Sequence, residues 1–412
     1  MNLRNDAQLI IEAAITSALP DNAVKKALEG ENFSNGKLLL VAIGKAAWTM
    51  AEAACNILKN QIDDGIVITK YDHAKGELPH MHIYEAGHPV PDTNSILATE
   101  QAIRLVTGLS SNDTVLLLIS GGGSALFEKP LIPLEMLEDL TKQLLASGAN
   151  IVEINTIRKR LSAVKGGKFA KLCEPARVFS VVLSDIIGDP LDMIASGPAY
   201  PDTSTCDQAR EILTKYGLKL PKEIEKLIDI EPPHHLTNVT TKITGSVTQL
   251  CEAAKTKCIE LGYEPIVLTS SLSCEAREAG SFLSSIAKYY SNTNKSLAFI
   301  AGGETVVHVK GNGLGGRNQE LALASAIGIA DLKNVAIFSV GSDGTDGPTD
   351  AAGGYVDSNT QNVLESKGIN IYRVLENNDA YHGLLACDGL IKTGPTGTNV
   401  NDLSVLLIKG KL

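Results

Sequence analysis

Several features that would place the chain outside the cell, in a membrane or on nucleic acid are missing. Its seven cysteines are scattered over 412 residues without a Cys-x-x-Cys pair, which favours reduced thiols in a cytoplasmic protein over a disulfide framework or a zinc ribbon. No run of about 18 apolar residues occurs, so no transmembrane helix is predicted. The first residues also lack the basic start and apolar core of a signal peptide.

Positive charge and aromatic residues are scarce as well. The net charge is −10, which argues against a general surface for nucleic acid or for a membrane. Any anionic ligand must therefore be bound by local basic residues and backbone N–H groups. One tryptophan and seven phenylalanines predict cores built mainly from Leu, Ile, Val and Ala. The Walker phosphate-binding motif is absent from the whole chain.

Strands that are apolar throughout alternate with amphipathic helices along the sequence. The run 114–119 is one such predicted strand. The alternation indicates an α/β fold in which a mostly parallel, Rossmann-like sheet is covered by helices on both faces. The pair Pro232-Pro233 lies in a polar stretch and is the best linker candidate. We therefore predict two α/β domains, 1–232 and 238–412, with the last segment able to pack back on the first domain.

A glycine-rich acidic stretch, residues 341–357, follows a predicted buried strand. It has no Lys or Arg and carries four aspartates: Asp343, Asp346, Asp350 and Asp357. Open α/β sheets bind ligands beyond the carboxyl ends of their strands, where this stretch is expected. Four uncompensated carboxylates repel one another unless a cation or a basic group joins them. The stretch is therefore either part of a ligand site or a solvated loop with Asx turns.

Two other turns have the character of anion sites. Gly44-Lys45 joins a predicted strand to a helix, which places an ammonium group beside helix N–H groups. The run 120–124, Ser-Gly-Gly-Gly-Ser, offers consecutive N–H donors after a buried strand, as in a phosphate nest. A surface lysine and a flexible turn are the alternative interpretations.

Acids and glycines also follow the predicted strand that ends at Leu183. Asp185 and Asp189 suit Mg²⁺, bound directly or through water, although a cap or turn role is as compatible with their spacing. The nearby pair Ser196-Gly197 belongs to the same small polar region. Histidines at residues 73–88 are interpreted as surface and turn residues, because no pair of acids accompanies them at metal-binding spacing.

A glycine fingerprint supports a different class of enzyme. Gly311, Gly313 and Gly316 satisfy Gly-x-Gly-x-x-Gly between a predicted strand, 305–310, and a predicted helix, so an NAD(P)H-dependent dehydrogenase is an alternative. The short and partly charged strand weakens it, as does the lack of an acid at a strand end about 20 residues further on. Arg317 at the helix start suits a phosphoryl group better.

Together these loops resemble the glycerate 2-kinase family with a C-terminal MOFRL domain. The resemblance extends over nearly the whole chain and is carried by seven segments in the family's order: 42–46, 120–126, 183–198, 302–305, 315–320, 341–357 and 393–402. It implies a two-domain fold, with a larger Rossmann-like domain, a smaller α/β domain of the MOFRL type, and an active site in the cleft between them. It also implies ATP- and Mg²⁺-dependent transfer of a phosphoryl group to the 2-hydroxyl of D-glycerate, giving 2-phosphoglycerate and ADP.

The sequence departs from the family's pattern at two positions. Ala199 and Val306 stand where the family has threonines, which removes two hydroxyl groups and puts ligand contacts at those positions in doubt. Members of the family have also been labelled hydroxypyruvate reductases, so the NAD(P)H-dependent reductase remains the alternative function. A ligand sensor without turnover is a third, less favoured hypothesis.

The residue chemistry and the resemblance together suggest roles for individual residues. Lys45 and Arg317 are the candidate active-site cations. Mg²⁺ is assigned to Asp185, Asp189 or Asp343. Substrate and nucleotide contacts are expected from Gly44, Ser120, Gly121, Gly122, Gly123, Ser124, Ser196, Gly197, Gly303, Glu304, Gly316, Asn318, Glu320, Asp346, Thr396 and Asn399. The expected partners are the small molecules D-glycerate and ATP, with no nucleic acid or membrane. A homodimer is one expectation, although the sequence does not determine the oligomeric state.

Overall fold

The computed structural model describes residues 2–33, 36–218 and 220–410. These residues form two compact units, each built around its own sheet. The first unit comprises Ala23–Ser184 and Asp189–Thr244. The second unit comprises Met1–Asn22, Asp185–Gly188 and Gly245–Leu412. This division joins the start of the chain to its second half, unlike the predicted ranges 1–232 and 238–412, which stay a prediction about domains.

A six-stranded sheet organises the first unit. Its order is β3-β2-β1-β4-β5-β6. The strands are β1 (Leu38–Ile43), β2 (Asp64–Lys70), β3 (Met81–Ala86), β4 (Thr114–Ile119), β5 (Arg177–Leu183) and β6 (Val239–Gly245). The neighbours from β3 to β5 are parallel, and every residue of β1 and β4 is buried. Ile43 lies opposite both Ile68 and Ile119, so three strands end together at one edge.

Helices follow these strands along the chain. They are α2 (Pro20–Leu28), which begins before the unit, α3 (Ala47–Leu58), α4 (Thr93–Leu105), α5 (Gly123–Leu126), α6 (Leu134–Ala146), α7 (Ile151–Arg160), α8 (Lys168–Leu172), α9 (Cys206–Lys215) and α10 (Lys222–Ile228), with 3-10 turns at Lys59–Gln61 and Ile194–Ser196. Helices α6, α7, α9 and α10 share an apolar cluster of their own, built mainly from Leu and Ile side chains. The predicted α/β class is confirmed.

The second unit has a mixed six-stranded sheet. Its order is β11-β10-β9-β12-β8-β7. The strands are β7 (Glu264–Leu272), β8 (Leu297–Gly303), β9 (Val335–Gly341), β10 (Gly353–Asp357), β11 (Leu390–Ile391) and β12 (Asp402–Ile408). Strand β12 lies antiparallel between β8 and β9, with Asp402 opposite both Gly303 and Gly341. The start of β12 therefore shares an edge with the ends of β8 and β9.

Seven described helices belong to this unit. They are α1 (Leu3–Ser17), α11 (Val247–Glu260), α12 (Ala276–Tyr290), α13 (Arg317–Ile329), α14 (Thr360–Ser366), α15 (Ile371–Glu376) and α16 (Ala380–Ala386). Helix α1 packs on α11, and a buried hydrogen bond of 2.6 Å from the Tyr263 hydroxyl to Asp6 ties it to the unit. Helices α12 and α13 pack together over the apolar core.

Two predictions about local structure were wrong. Residues 305–310 do not form a strand, because the chain leaves the sheet after Gly303 and makes only a single bridge, from Val306 to Glu275. Residues 353–357 of the acidic stretch form the sheet strand β10 instead of a loop. No helix among residues 2–33, 36–218 and 220–410 is long and apolar enough to cross a membrane.

Candidate active site

The Gly44-Lys45 turn lies where β1 ends and α3 is about to begin, as predicted. Gly44 has a φ of 113°, and a Cβ there would approach within 2.3 Å of the Ser120 hydroxyl, so both the conformation and the space require glycine. The Lys45 N–H donates to the Gly121 carbonyl at 2.9 Å. Ser120 accepts from the Ala46 N–H at 3.1 Å. The turns after β1 and β4 are thus joined, and the role of Ser120 in the structure is to join them.

The Lys45 side chain is exposed and has no ion pair among the residues that the structure describes. It lies along Gly122, since a Cβ on that glycine would come within 3.1 Å of the lysine Cε and 3.0 Å of the His88 ring. Burial, and then the charge of Lys45, lowers the pKa of His88. This edge therefore presents one uncompensated ammonium group beside a backbone turn.

The loop at Gly123-Ser124 touches the predicted Ser196-Gly197 loop. The two serine hydroxyls are 3.0 Å apart, and a Cβ on Gly123 would meet Ala195 at 2.6 Å. Ala195, Ser196 and Gly197 all have left-handed backbone conformations, with φ between 51° and 63°. Non-glycine residues in this region carry strain that the surroundings must offset. The structure thus brings together two loops that the sequence analysis treated separately.

A segment that sequence reasoning missed holds both of these loops. The N–H groups of Gly166 and Gly167 donate to the carbonyls of Ser196 and Gly197 at 3.0 and 2.7 Å. The Lys165 ammonium donates to the Ser124 carbonyl at 2.7 Å and lies 3.2 Å from Glu128. Both charged side chains are fully buried, and burial lowers the pKa of Lys165 to about 8. A lysine directly before two glycines was the only available signal.

Replacing Lys165 by methionine is expected to destabilise the protein by about 3 kcal/mol, the low end of the range for breaking a buried pair, because it removes the nearer cation from the buried Glu128 carboxylate and leaves only Arg158, at 3.8 Å. Denaturant unfolding measures the loss. The double variant with Glu128→Gln should recover a large part of it. A single-variant loss below about 1 kcal/mol, the size expected for an exposed pair, would show that the buried pair is not important for stability.

On the second unit, Arg317 begins α13 at the edge shared by β8, β9 and β12. Its Nε and Nη2 donate to the two carboxylate oxygens of Asp402 at 2.6 and 3.0 Å. Its Nη1 lies 3.0 Å from Glu304, the residue after β8. Gly303 must be glycine here, since a Cβ would approach the Leu272 carbonyl within 2.2 Å. The guanidinium is therefore held between a carboxylate from β12 and a carboxylate that follows β8.

Burial and pairing act in opposite directions on this pair. Burial alone would lower the pKa of Arg317, but hydrogen bonds to Asp402 raise it, so the guanidinium stays charged. Burial raises the pKa of Asp402, and the bonds from Arg317 oppose that shift. Asp402 is a structural partner of Arg317 that the site prediction left out.

Three residues predicted to contact ligand hold α13 in place. Asp346 accepts hydrogen bonds from the backbone N–H groups of Asn318 and Gln319 at 3.1 and 2.8 Å, and burial raises its pKa to about 6. The Asn318 side chain accepts from Ser339 at 2.6 Å. Glu320 pairs with Arg277 at 2.6 Å. These contacts cap and anchor the helix that carries Arg317, and the ligand contacts predicted for the three residues stay a prediction.

The acidic stretch is not a set of uncompensated charges. Asp343 accepts from the Thr345 N–H at 3.0 Å in its own turn, and Asp350 is 2.8 Å from Lys392. Asp357 accepts from the Asn359 N–H at 2.9 Å. A basic group from outside the stretch, Lys392, thus offsets one of the charges.

Residues 396–401 fold over the end of β9. The Thr396 N–H donates to the Asp343 carbonyl at 3.1 Å, and Asn399 accepts from the Asn401 N–H at 3.4 Å. The Asn401 amide donates both to Glu304 and to the Asp185 carbonyl at 3.3 Å. Asp185, Glu304, Asp343 and Asn401 thus belong to one edge of the second unit. Asn401 was missed as an individual residue, because the sequence offered only a small polar run.

The glycine fingerprint at residues 311–316 has a local explanation. A Cβ on Gly311 or Gly313 would come within 2.4 Å of atoms of residues 377 and 379. A Cβ on Gly316 would meet the Asp346 carboxylate at 2.3 Å. These glycines allow close contacts within the protein, and Asp346 occupies the helix start where a dinucleotide-binding site would hold pyrophosphate.

The predicted magnesium ligands do not form a cage made by protein alone. Within the described ranges no group of three or more His, Cys, Asp or Glu side chains is arranged to hold a metal ion. Asp343 uses one carboxylate oxygen in its turn, and Oδ1 of Asp189 is buried with no hydrogen-bond partner in the described part of the chain. Mg²⁺ typically takes one or two carboxylates together with phosphate oxygens, so either carboxylate, each within its own unit, fits an ion that is brought in with a nucleotide.

Comparison with known proteins bears on the whole chain. Residues 6–229 match a domain of unknown function, DUF4147, and residues 297–402 match the MOFRL family. The D-glycerate 2-kinase of Thermotoga maritima is 51% identical over 413 aligned residues, which cover 99% of both proteins. The chain belongs to the glycerate 2-kinase family. The predicted resemblance is thereby confirmed.

Other relatives agree with this chain in length, and a solved structure agrees with it in fold. The glycerate 2-kinase of Pyrococcus horikoshii is 40% identical, with 100% of this chain and 98% of that protein covered. A crystal structure of glycerate kinase from Thermotoga maritima superposes with a TM-score of 0.94 at 50% identity, covering 98% and 99% of the two chains. A protein of Agrobacterium vitis named putative hydroxypyruvate reductase is 37% identical, with 90% of this chain and 100% of that protein covered.

Proposed function

We propose that the protein transfers a phosphoryl group from ATP to the 2-hydroxyl of D-glycerate, giving 2-phosphoglycerate and ADP. The observation that carries the proposal is the full-length match, at 51% identity, to a protein named D-glycerate 2-kinase. Phosphoryl transfer needs little covalent chemistry from the protein, and instead requires positioning together with positive charge around the moving group. Lys45 and Arg317, at the strand edges of their units, are suited to that task.

Each cation has a distinct part in the proposal. Lys45 carries a charge that no described carboxylate neutralises, so it is available to a phosphate group. The N–H groups of Gly121 to Ser124 lie in the neighbouring turn and can donate to phosphate oxygens. Arg317 is oriented by Asp402 and presents Nη1 to an anion. Mg²⁺, bound with the nucleotide, supplies further charge neutralisation, and Asp343 and Asp189 are each able to provide a carboxylate oxygen.

The NAD(P)H-dependent reductase is weaker as a second candidate. Its sequence support was the glycine fingerprint, which packing against residues 377–379 and Asp346 explains without a dinucleotide. No strand precedes the fingerprint directly, as a dinucleotide-binding unit would require. Its remaining support is that relatives such as the one from Agrobacterium vitis are named putative hydroxypyruvate reductases.

One assay separates the candidates. Purified protein is incubated with D-glycerate, ATP and Mg²⁺, ADP is measured by a coupled reaction, and the product is identified by NMR. We expect ADP formation that depends on glycerate, with the phosphate on the 2-position. Formation of 3-phosphoglycerate would refute the regiochemistry. Oxidation of NAD(P)H by hydroxypyruvate without ATP would favour the reductase, and ligand binding without turnover would favour a sensor.

Cellular context stays a prediction. All seven cysteines are free, in keeping with the cytoplasmic location predicted from their spacing. A homodimer is likewise an expectation that sedimentation analysis would test.

A further inference from the structure

The Glu304 carboxylate faces two donor groups at the edge of the second sheet, one in an ion pair and one in a hydrogen bond. One oxygen is 3.0 Å from Nη1 of Arg317, and the other accepts from Nδ2 of Asn401 at 3.3 Å. The Glu304 side chain is 47% exposed, whereas Asn401 is only 4% exposed. The acceptor, the Glu304 side chain, is therefore half exposed to water, whereas the Asn401 donor is buried.

The two donors are held by contacts that do not involve Glu304. Asp402 binds Nε and Nη2 of Arg317 and leaves Nη1 for a second anion. Nδ2 of Asn401 also donates to the Asp185 carbonyl at 3.3 Å. A flipped amide would set its oxygen against the Asp185 carbonyl, so the donor orientation does not depend on Glu304. A partly exposed ion pair contributes little to stability, so Glu304 is the partner that can leave.

Charge balance favours the same exchange. With Glu304 in place, the single positive charge of Arg317 is in contact with two carboxylates, so these three groups carry one excess negative charge, and the nearby Asp346 makes the surroundings no less negative. Such a cluster repels an anionic ligand. When Glu304 turns away, the Arg317–Asp402 pair is neutral and two donors are free, in an arrangement that already accommodates a carboxylate group.

We infer that the carboxylate of D-glycerate binds in place of Glu304, on Nη1 of Arg317 and Nδ2 of Asn401, and that Glu304 is an internal competitor of the substrate. The identity of the ligand rests on the proposed function; the anion subsite itself rests on the contacts. Asn401 is thereby a substrate-binding residue, and Glu304 limits the affinity for substrate.

The variant Glu304→Gln tests this inference. It keeps the size of the side chain but removes the competing charge. We expect KM and Kd for D-glycerate to fall about fivefold or more, as for removal of a like charge close to a partly exposed site, with kcat within about threefold of wild type. Steady-state kinetics gives KM and kcat, and calorimetry with D-glycerate alone gives Kd.

Glu264→Gln is the matched control. Glu264 is an exposed acid paired with Lys295 at 2.8 Å, and it begins β7, at the opposite end of the sheet from Gly303. It should leave KM and Kd unchanged. Unchanged or weaker binding of D-glycerate by Glu304→Gln would overturn the inference, and so would a large fall in kcat at constant KM, which indicates a metal ligand or a base. If the wild type forms no ADP, the proposed function fails, while calorimetry on the two variants still decides whether Glu304 competes with the anion.

Discussion

Replacement of Arg317 by alanine is expected to lower kcat/KM for D-glycerate by about two decades or more, the loss typical of a removed charge clamp. The guanidinium is fixed by two hydrogen bonds to Asp402, so it offers Nη1 in one orientation. Arg317→Lys should recover little activity, because an ammonium group cannot bind the Asp402 carboxylate in the same forked way and still reach a second anion. The measurement is steady-state formation of ADP.

Stability must be followed in the same variants. Alanine leaves Asp402 buried without its cation, and breaking such a pair costs about 3–5 kcal/mol. Thermal unfolding therefore sets the assay temperature below the transition of each variant. Arg177→Ala is the control, since Arg177 is 39% exposed and pairs with Glu31 at the start of β5. Wild-type kcat/KM in folded Arg317→Ala would refute the assignment of Arg317 to the active site.

The strand ends of the first unit show what pattern alone can predict. The fully apolar β1 and β4 were recognisable as buried parallel strands, and parallel strands end at a common edge. Lys45 and the run 120–124 each follow one of these two strands, and their backbones are hydrogen bonded. The local pattern was sufficient to predict the position of each turn, because each turn directly follows its strand.

The second unit was harder for a physical reason. Asp402 and Asn401 come at the start of a strand, which in a parallel sheet would lie at the edge away from Arg317. Strand β12 runs antiparallel between β8 and β9 and brings them to the same edge. Strand direction depends on long-range packing, and no local signal in the sequence encodes it. The ion pair between Lys165 and Glu128 also joins residues that are distant in the sequence, so no local pattern predicts it.

The partners of the acidic stretch at residues 341–357 were hard to predict for a related reason. Its four carboxylates lack basic residues nearby in sequence, which left a cation, a basic group from elsewhere and a solvated loop as alternatives. The structure supplies other partners for them: Lys392 from a distant loop and N–H groups at the start of α13. Charge compensation in a folded chain is three-dimensional, so counting charges within a loop overestimates the need for a metal ion.

Lys45→Ala is the second variant expected to have a large effect. Its ammonium group is exposed and forms no ion pair within the described ranges, so its removal leaves no buried charge without a partner. We therefore expect the unfolding temperature to stay close to wild type. The turn itself should persist, because the Lys45 N–H bond to Gly121 and the Gly44 conformation depend on the backbone alone.

Activity, unlike stability, should change strongly in Lys45→Ala. We expect a loss of about two decades or more in kcat/KM, because the phosphoryl group loses the positive charge that lies beside the nest of N–H groups. Lys37→Ala is the matched control: Lys37 is also exposed, and it immediately precedes β1, at the end of the strand opposite to Lys45. Removal of a lysine at the opposite end of β1 should leave kcat/KM unchanged. If Lys45→Ala and Lys37→Ala have the same near wild-type kcat/KM, Lys45 is a surface residue, and the phosphate must be bound by other groups.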